Sequence, residues 1–106
     1  MIKKFVVILK DKDRGSLSSE LLEKHVAHLK RLSEEGRLYL CGPFDDDETA
    51  LQVLLAADAD EARSLVEADP FIRQRYYRDY SLRELIEANA SNNWLMDHAQ
   101  TRGNLD

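Results

Sequence analysis

Near the start of the chain, a run of hydrophobic positions rich in β-branched and aromatic residues predicts a β-strand over residues 2–9. Its centre is apolar on both faces, because Val6 and Ile8 point to one side and Phe5 and Val7 to the other. One layer of helices covers only one face of a sheet, so the second apolar face needs another partner. The pattern therefore indicates that two chains pack together through this strand.

The next segment carries apolar residues at helical spacing and predicts a helix over residues 20–35. A serine at 18 or 19 caps its start, and Gly36 ends it. The apolar stripe of this helix is expected to contain Leu22, Val26, Leu29 and Leu32, with Leu21 at its margin.

The remaining pattern completes a β-α-β-β-α-β order. Further strands are predicted at residues 38–41, 50–57 and 79–86, with a second helix through Leu65 and Val66 and a helical turn at 71–75. This order predicts an α+β, ferredoxin-like sandwich, in which an antiparallel sheet carries two helices on one face. We therefore predict one domain over residues 1–87. Residues 88–106 form a polar C-terminal extension whose Trp94-Leu95-Met96 cluster we expect to pack on the core or on a partner subunit.

The composition of the chain limits the kinds of molecule that it can bind. The 106 residues include 15 basic and 20 acidic side chains, for a net charge of −5, which argues against nucleic acid or an anionic membrane. The longest apolar run is far shorter than the ~20 residues of a spanning helix, and no signal peptide is recognisable. Cys41 is the single cysteine, so no internal disulfide forms, as in a reducing compartment. We expect a cytoplasmic protein that acts on a small molecule.

Two histidines and one aspartate are the candidate chemical groups. His25 and His28 project from roughly one side of the first helix. His25 falls inside the apolar stripe, and the simplest interpretation is that it packs in the core or at its rim with a hydrogen-bond partner. His28 falls on the edge of the stripe, where its side chain can contact both the core and a cleft. Asp69 precedes Pro70 at a chain break, where its carboxylate either caps a helical turn or orients a histidine. A histidine acts as a general base near neutral pH only when another group fixes its tautomer, which favours a His28–Asp69 pair.

Metal or cofactor chemistry is the competing use of these residues. The two histidines with Cys41 or Asp69 offer zinc ligands, but no paired-cysteine or HExxH motif supports a site. The four glycines are isolated, so there is no phosphate-binding loop. We expect no metal and no cofactor. Arginines interleaved with tyrosines between residues 73 and 83 favour surface pairing, or an anionic substrate, over nucleic acid.

Several short motifs occur in a recognisable order. The stretch from His25 to Leu32, followed by Gly36-Arg37-Leu38, Gly42-Pro43 and Asp69-Pro70-Phe71, resembles the YciI-like (YCII-related) family. The resemblance covers residues 2–86 and implies a ferredoxin-like fold that dimerises sheet against sheet, as in the dimeric α+β barrel superfamily.

The resemblance also implies a His–Asp site in a pocket, which maps to His28 and Asp69 as the catalytic pair. Gly42 and Pro43 would shape the pocket wall, and they are assigned to substrate binding together with His25 and Phe71. Family members often carry arginine where this chain has His25.

Two functions follow as hypotheses. The first is a homodimeric lyase or isomerase, similar to dehydrochlorinases or muconolactone isomerases, in which His28 takes a proton from a small cyclic or anionic substrate. The alternative is a non-catalytic dimeric module of the same fold that binds a ligand or a protein. Geometry separates them. Catalysis by His28 requires one of its ring nitrogens about 2.6–3.2 Å from an Asp69 oxygen, beside an open pocket, whereas a His28 packed in a closed core favours the binding module.

Overall fold

A computed structural model describes residues 1–105 and contains one antiparallel sheet with helices on one of its faces. The strands are β1 (Lys3–Lys12), β2 (Leu38–Pro43), β3 (Ala50–Ala56) and β4 (Tyr77–Leu85), in the spatial order β2-β3-β1-β4. The main helices are α1 (Ser19–Glu34) and α2 (Ala59–Glu67), followed by the single turn α3 (Pro70–Arg73). This is the ferredoxin-like α+β arrangement that the sequence predicts.

The central strand β1 alternates between a buried and a half-buried face. Phe5, Val7 and Leu9 are buried beneath the helices, whereas Val6 and Ile8 face the other way and are half-buried. The strand register pairs Val7 with Gln52 of β3, so both side chains lie on the same face of the sheet. The hydrophobic core therefore lies between the helices and one face of the sheet, as residue alternation requires.

Among residues 1–105, no helix covers the other face of the sheet, which we call the open face. Its apolar side chains are Val6, Ile8, Leu40, Leu51, Val53, Leu55 and Leu85, placed together by the strand register. Leu40 and Leu85 are both 47% exposed.

Helix α1 is rotated relative to the orientation that the sequence predicts. Leu21, expected at the margin of the stripe, is buried together with His28 and Leu32. Leu22 and Val26, expected at its centre, remain exposed. The predicted orientation is wrong because the apolar sector of α1 is wider than its core contact, and part of that sector forms the wall of a cavity instead.

The end of β1 departs from regular alternation at Asp11. This residue has φ +58°, a left-handed conformation that is rare outside glycine. An Arg78 guanidinium nitrogen lies 3.0 Å from its Oδ1. As a result Leu9 and Lys12, which strict alternation would put on opposite faces, line the same cavity.

The C-terminal extension contains a 3₁₀ helix (Ala90–Leu95) and the short helix α4 (Ala99–Arg102), neither of which buries a side chain. Trp94 and Met96 are exposed, so packing of this cluster on a partner subunit stays a prediction. Asp106 lies outside the described residues. Within residues 1–105, no helix combines the length and apolar character needed to cross a bilayer.

Candidate active site

A cavity of about 380 Å³ opens between α1, the β2–β3 edge of the sheet and the start of β4. Apolar side chains of α1 and the strands form most of its wall, and aromatic rings close one side. Its polar or aromatic lining residues are Lys12, His25, Cys41, Gln52, Phe71, Tyr76 and Tyr77. Its volume is within the range of small-molecule sites.

Asp69 is the buried anion of this region. It is fully buried and is the N-cap of α3, where its Oδ1 accepts the backbone N–H of Phe71 at 2.9 Å. The same oxygen lies 2.8 Å from His25 Nδ1, and Oδ2 accepts from Gln52 Nε2 at 3.0 Å. Burial opposes ionisation of Asp69, but the hydrogen bonds from His25, Gln52 and Phe71 outweigh it and hold the pKa of this carboxyl below its usual value.

His25 joins this carboxylate to the cavity. Since ionised Asp69 is only an acceptor, His25 Nδ1 carries the proton of the hydrogen bond, and the neutral ring has its lone pair on Nε2. The ring stacks on Phe71 with centroids 3.7 Å apart and planes 4° from parallel. In the described part of the chain, His25 Nε2 has no hydrogen-bond partner and is accessible to solvent. The arrangement therefore presents a base of defined tautomer and orientation to the cavity.

His28 occupies a different environment from the one expected. It is 3% exposed and does not line the cavity, and neither of its ring nitrogens has a hydrogen-bond partner among residues 1–105. Burial lowers the pKa of His28, and the negative charge of Asp69 only partly offsets this. The expected hydrogen bond between His28 and Asp69 is thus wrong, because the rotation of α1 turns His28 into the core and brings His25 to the carboxylate.

The other predicted site residues do meet at one place. Gly42, Pro43 and Phe71 line the cavity with His25, and their part in substrate binding stays a prediction.

Sequence reasoning missed Gln52 and Lys12. The signal for Gln52 is its position between Ala50 and Leu54 on the inward face of β3, where a buried amide needs a polar partner. No sequence signal indicates Lys12, which reaches the cavity through the left-handed Asp11.

The cavity has no metal-binding cluster: among residues 1–105, no group of three His, Cys, Asp or Glu side chains is arranged to hold an ion. Cys41 lines the cavity as a single thiol. Burial and the charge of Asp69 raise its pKa, which keeps the thiol protonated at neutral pH. The pair His25–Asp69 is the hydrogen-bonded histidine–carboxylate pair at this cavity.

Comparison with known proteins supports the fold. One solved structure, 5-chloro-2-hydroxyhydroquinone dehydrochlorinase (TftG) from Burkholderia phenoliruptrix in complex with 2,5-dihydroxybenzoquinone, superposes with a TM-score of 0.58 at 20% identity. The match covers 85% of this chain and 99% of that chain. No curated protein matches the sequence significantly. The YCII-related domain matches residues 4–86, which is most of the chain, and the protein therefore belongs to the YCII-related family.

Proposed function

We propose that this protein is a small-molecule enzyme of lyase or isomerase type, in which His25 is the general base and Asp69 orients it. The observation that carries the proposal is the 2.8 Å contact between His25 Nδ1 and Asp69 Oδ1 at the wall of a cavity. The burial of His28 is the outcome expected for a binding module, but His25 supplies the histidine–aspartate pair instead. We therefore give His25 the role that the family resemblance implied for His28, which does not line the cavity.

The chemical step is a proton transfer within the substrate complex. The Nε2 lone pair of His25 takes a proton from the substrate, and the electrons of the broken bond stay on the substrate as an enolate or enolate-like anion. The imidazolium that forms is stabilised by Asp69, which remains ionised because its pKa is lowered. Return of the proton to another atom completes an isomerisation, whereas loss of a leaving group such as chloride completes an elimination.

The substrate class is proposed as a small oxygenated ring. The cavity of about 380 Å³ is lined by the rings of Phe71, Tyr76 and Tyr77, which favour a planar ligand. The structurally similar dehydrochlorinase is named for a chlorinated hydroxyhydroquinone, and its structure is a complex with a dihydroxybenzoquinone. Both are compounds of this class.

The test is proton exchange on a panel of hydroxylated and chlorinated quinols and quinones in D₂O, followed by NMR. Loss of general-base assistance lowers rates about 10²–10⁴-fold, so we expect His25→Asn to lower exchange or turnover by that factor. His28→Leu is the matched control on the same helix, and it should retain most of the activity. Full activity of His25→Asn, or an equal loss in His28→Leu, would contradict the assignment. Ligand binding without exchange by the wild type would favour the non-catalytic module.

We further propose that the working molecule is a homodimer formed through the open face of the sheet. The support is an apolar surface that includes Ile8 and Leu40 and has no helix over it. Patches of this kind on a soluble protein are typical of interfaces.

The measurement is mass by light scattering. The wild type should give twice the chain mass of 12.2 kDa, because burial of the open face favours association. Ile8→Glu should give the monomer, and Lys30→Glu, on the exposed side of α1, is the control that should not. A wild-type mass near that of one chain contradicts the dimer.

A further inference from the structure

Lys12 is a cationic side chain that enters the cavity lined by His25. Its side chain is 19% exposed. Its Nζ lies 5.7 Å from the ring centroid of Tyr76 and 5.6 Å from that of Tyr77, within the range of cation–π contact. The ammonium is therefore held at one place by two aromatic rings that also line the cavity.

The charge of Lys12 is only partly balanced. Its nearest carboxylate is Glu48, at 3.5 Å between Nζ and Oε2. Glu48 also binds Arg14 more closely, at 2.7 Å between Oε1 and Nη2. Two cations thus share one carboxylate, so Glu48 balances the charge of Lys12 only in part.

Asp47 is a further acidic side chain near Lys12. Its Oδ1 accepts the backbone N–H and the hydroxyl of Thr49, and in the part of the chain that is described it makes no ion pair with Lys12. Burial alone would lower the pKa of Lys12, but Tyr77, Tyr76 and Glu48 raise it above its ordinary value, so the side chain is charged at neutral pH. The wall of the cavity therefore carries a charged ammonium whose nearest carboxylate is shared with Arg14.

We propose that Lys12 binds the anionic oxygen of a planar cyclic substrate, a carboxylate or a phenolate, in the cavity that His25 lines. This inference rests on the proposed function and names the substrate class as a ring monoanion. Lys12 positions the anion and adds positive charge where an enolate develops, while His25 takes the proton. Aromatic side chains contact the ring faces, and the apolar wall excludes charged groups elsewhere on the ligand.

The test uses benzoate as the anionic probe and benzamide as its neutral analogue of similar shape, followed by amide chemical shifts in two-dimensional NMR. We expect benzoate to shift Gln52, Phe71 and Tyr76 and to bind at least about tenfold more tightly than benzamide, a difference of about 1.4 kcal/mol. Lys12→Met should remove this preference. Lys10→Met makes the same change in net charge on the same strand, outside the cavity, and should keep it.

Glu48→Gln provides a second variant that leaves Lys12 in place. Because it removes the carboxylate that competes with the ligand, it should tighten benzoate binding about two- to fivefold at low salt and leave benzamide unchanged. A purely structural role for Lys12 predicts no such gain.

Three results would overturn the inference: equal binding of benzoate and benzamide, a preference that survives Lys12→Met, or benzoate shifts confined to residues outside the cavity. Absence of benzoate binding at millimolar concentration would overturn it as well. None of these results contradicts the general-base proposal, which is tested by the rate of substrate proton exchange in His25→Asn. Conversely, an active His25→Asn variant with intact benzoate preference would refute the base and keep the anion site.

Discussion

Removal of the Asp69 carboxylate should destabilise this protein far more than removal of an ordinary helix cap. Asp69→Ala leaves three donors without their acceptor, and two of them, Gln52 Nε2 and the Phe71 N–H, belong to buried residues. Each buried donor without a partner costs about 1–3 kcal/mol, so we expect a loss of about 3 kcal/mol in the free energy of unfolding. For a domain of this size, that corresponds to a fall in Tm of about 12–24 °C.

Asp58→Ala is the matched control, because Asp58 is the N-cap of α2 but is exposed, and among residues 1–105 its carboxylate accepts one hydrogen bond, from the Glu61 N–H. Loss of such a cap costs about 1 kcal/mol. Asp69→Asn should lie between the two. The Oε1 of Gln52 has no partner among the described residues, so a flip of this amide lets it accept from the new Asn side chain.

The assay is urea unfolding followed by circular dichroism at pH 7, with all variants at one protein concentration because association shifts apparent stability. Trp94 fluorescence is a poor reporter, since this residue is exposed in the C-terminal extension. A loss in Asp69→Ala no greater than that in Asp58→Ala would refute the account of Asp69 as the central buried acceptor.

Three further outcomes are expected from the same unfolding assay. Folding lowers the pKa of Asp69, so the contribution of its carboxylate to the free energy of unfolding is complete above the unfolded pKa of about 3.9 and is lost as the pH falls through the folded pKa. The difference in stability between the wild type and Asp69→Asn should therefore shrink below about pH 4. The lowered pKa of His28 makes the wild type lose stability as the pH falls below about 6.5, and His28→Leu should reduce the slope between pH 5 and 7; an unchanged slope contradicts this. Arg75 has φ +62° and is exposed, so Arg75→Gly should stabilise by about 0.5 kcal/mol, whereas Arg73→Gly, in α3, should cost up to about 1 kcal/mol; equal effects would exclude backbone strain at Arg75.

The order and kinds of elements could be predicted from the sequence because they depend on local periodicity and on end signals. The doubly apolar centre of β1 indicates a sheet with one uncovered face, and the predicted bounds of α1, residues 20 and 35, each lie within one residue of its observed ends. The motifs containing His25, Gly42 and Asp69 likewise indicate a site formed from segments far apart in the chain. These signals lie in short stretches of residues, so they survive without knowledge of the packing.

By itself, then, the sequence determined the ferredoxin-like class and, through its resemblance to the family, a site that pairs a histidine of the first helix with Asp69. Only the tertiary structure decided which histidine meets Asp69, because helical spacing leaves the rotation of α1 on the sheet undefined within its wide apolar sector. A rotation of the helix by about one residue, or 100°, moves a side chain from the core to the wall of the cavity. The place of Lys12 was also decided in three dimensions, since a single left-handed residue at Asp11 reverses the side on which β1 presents its last side chain.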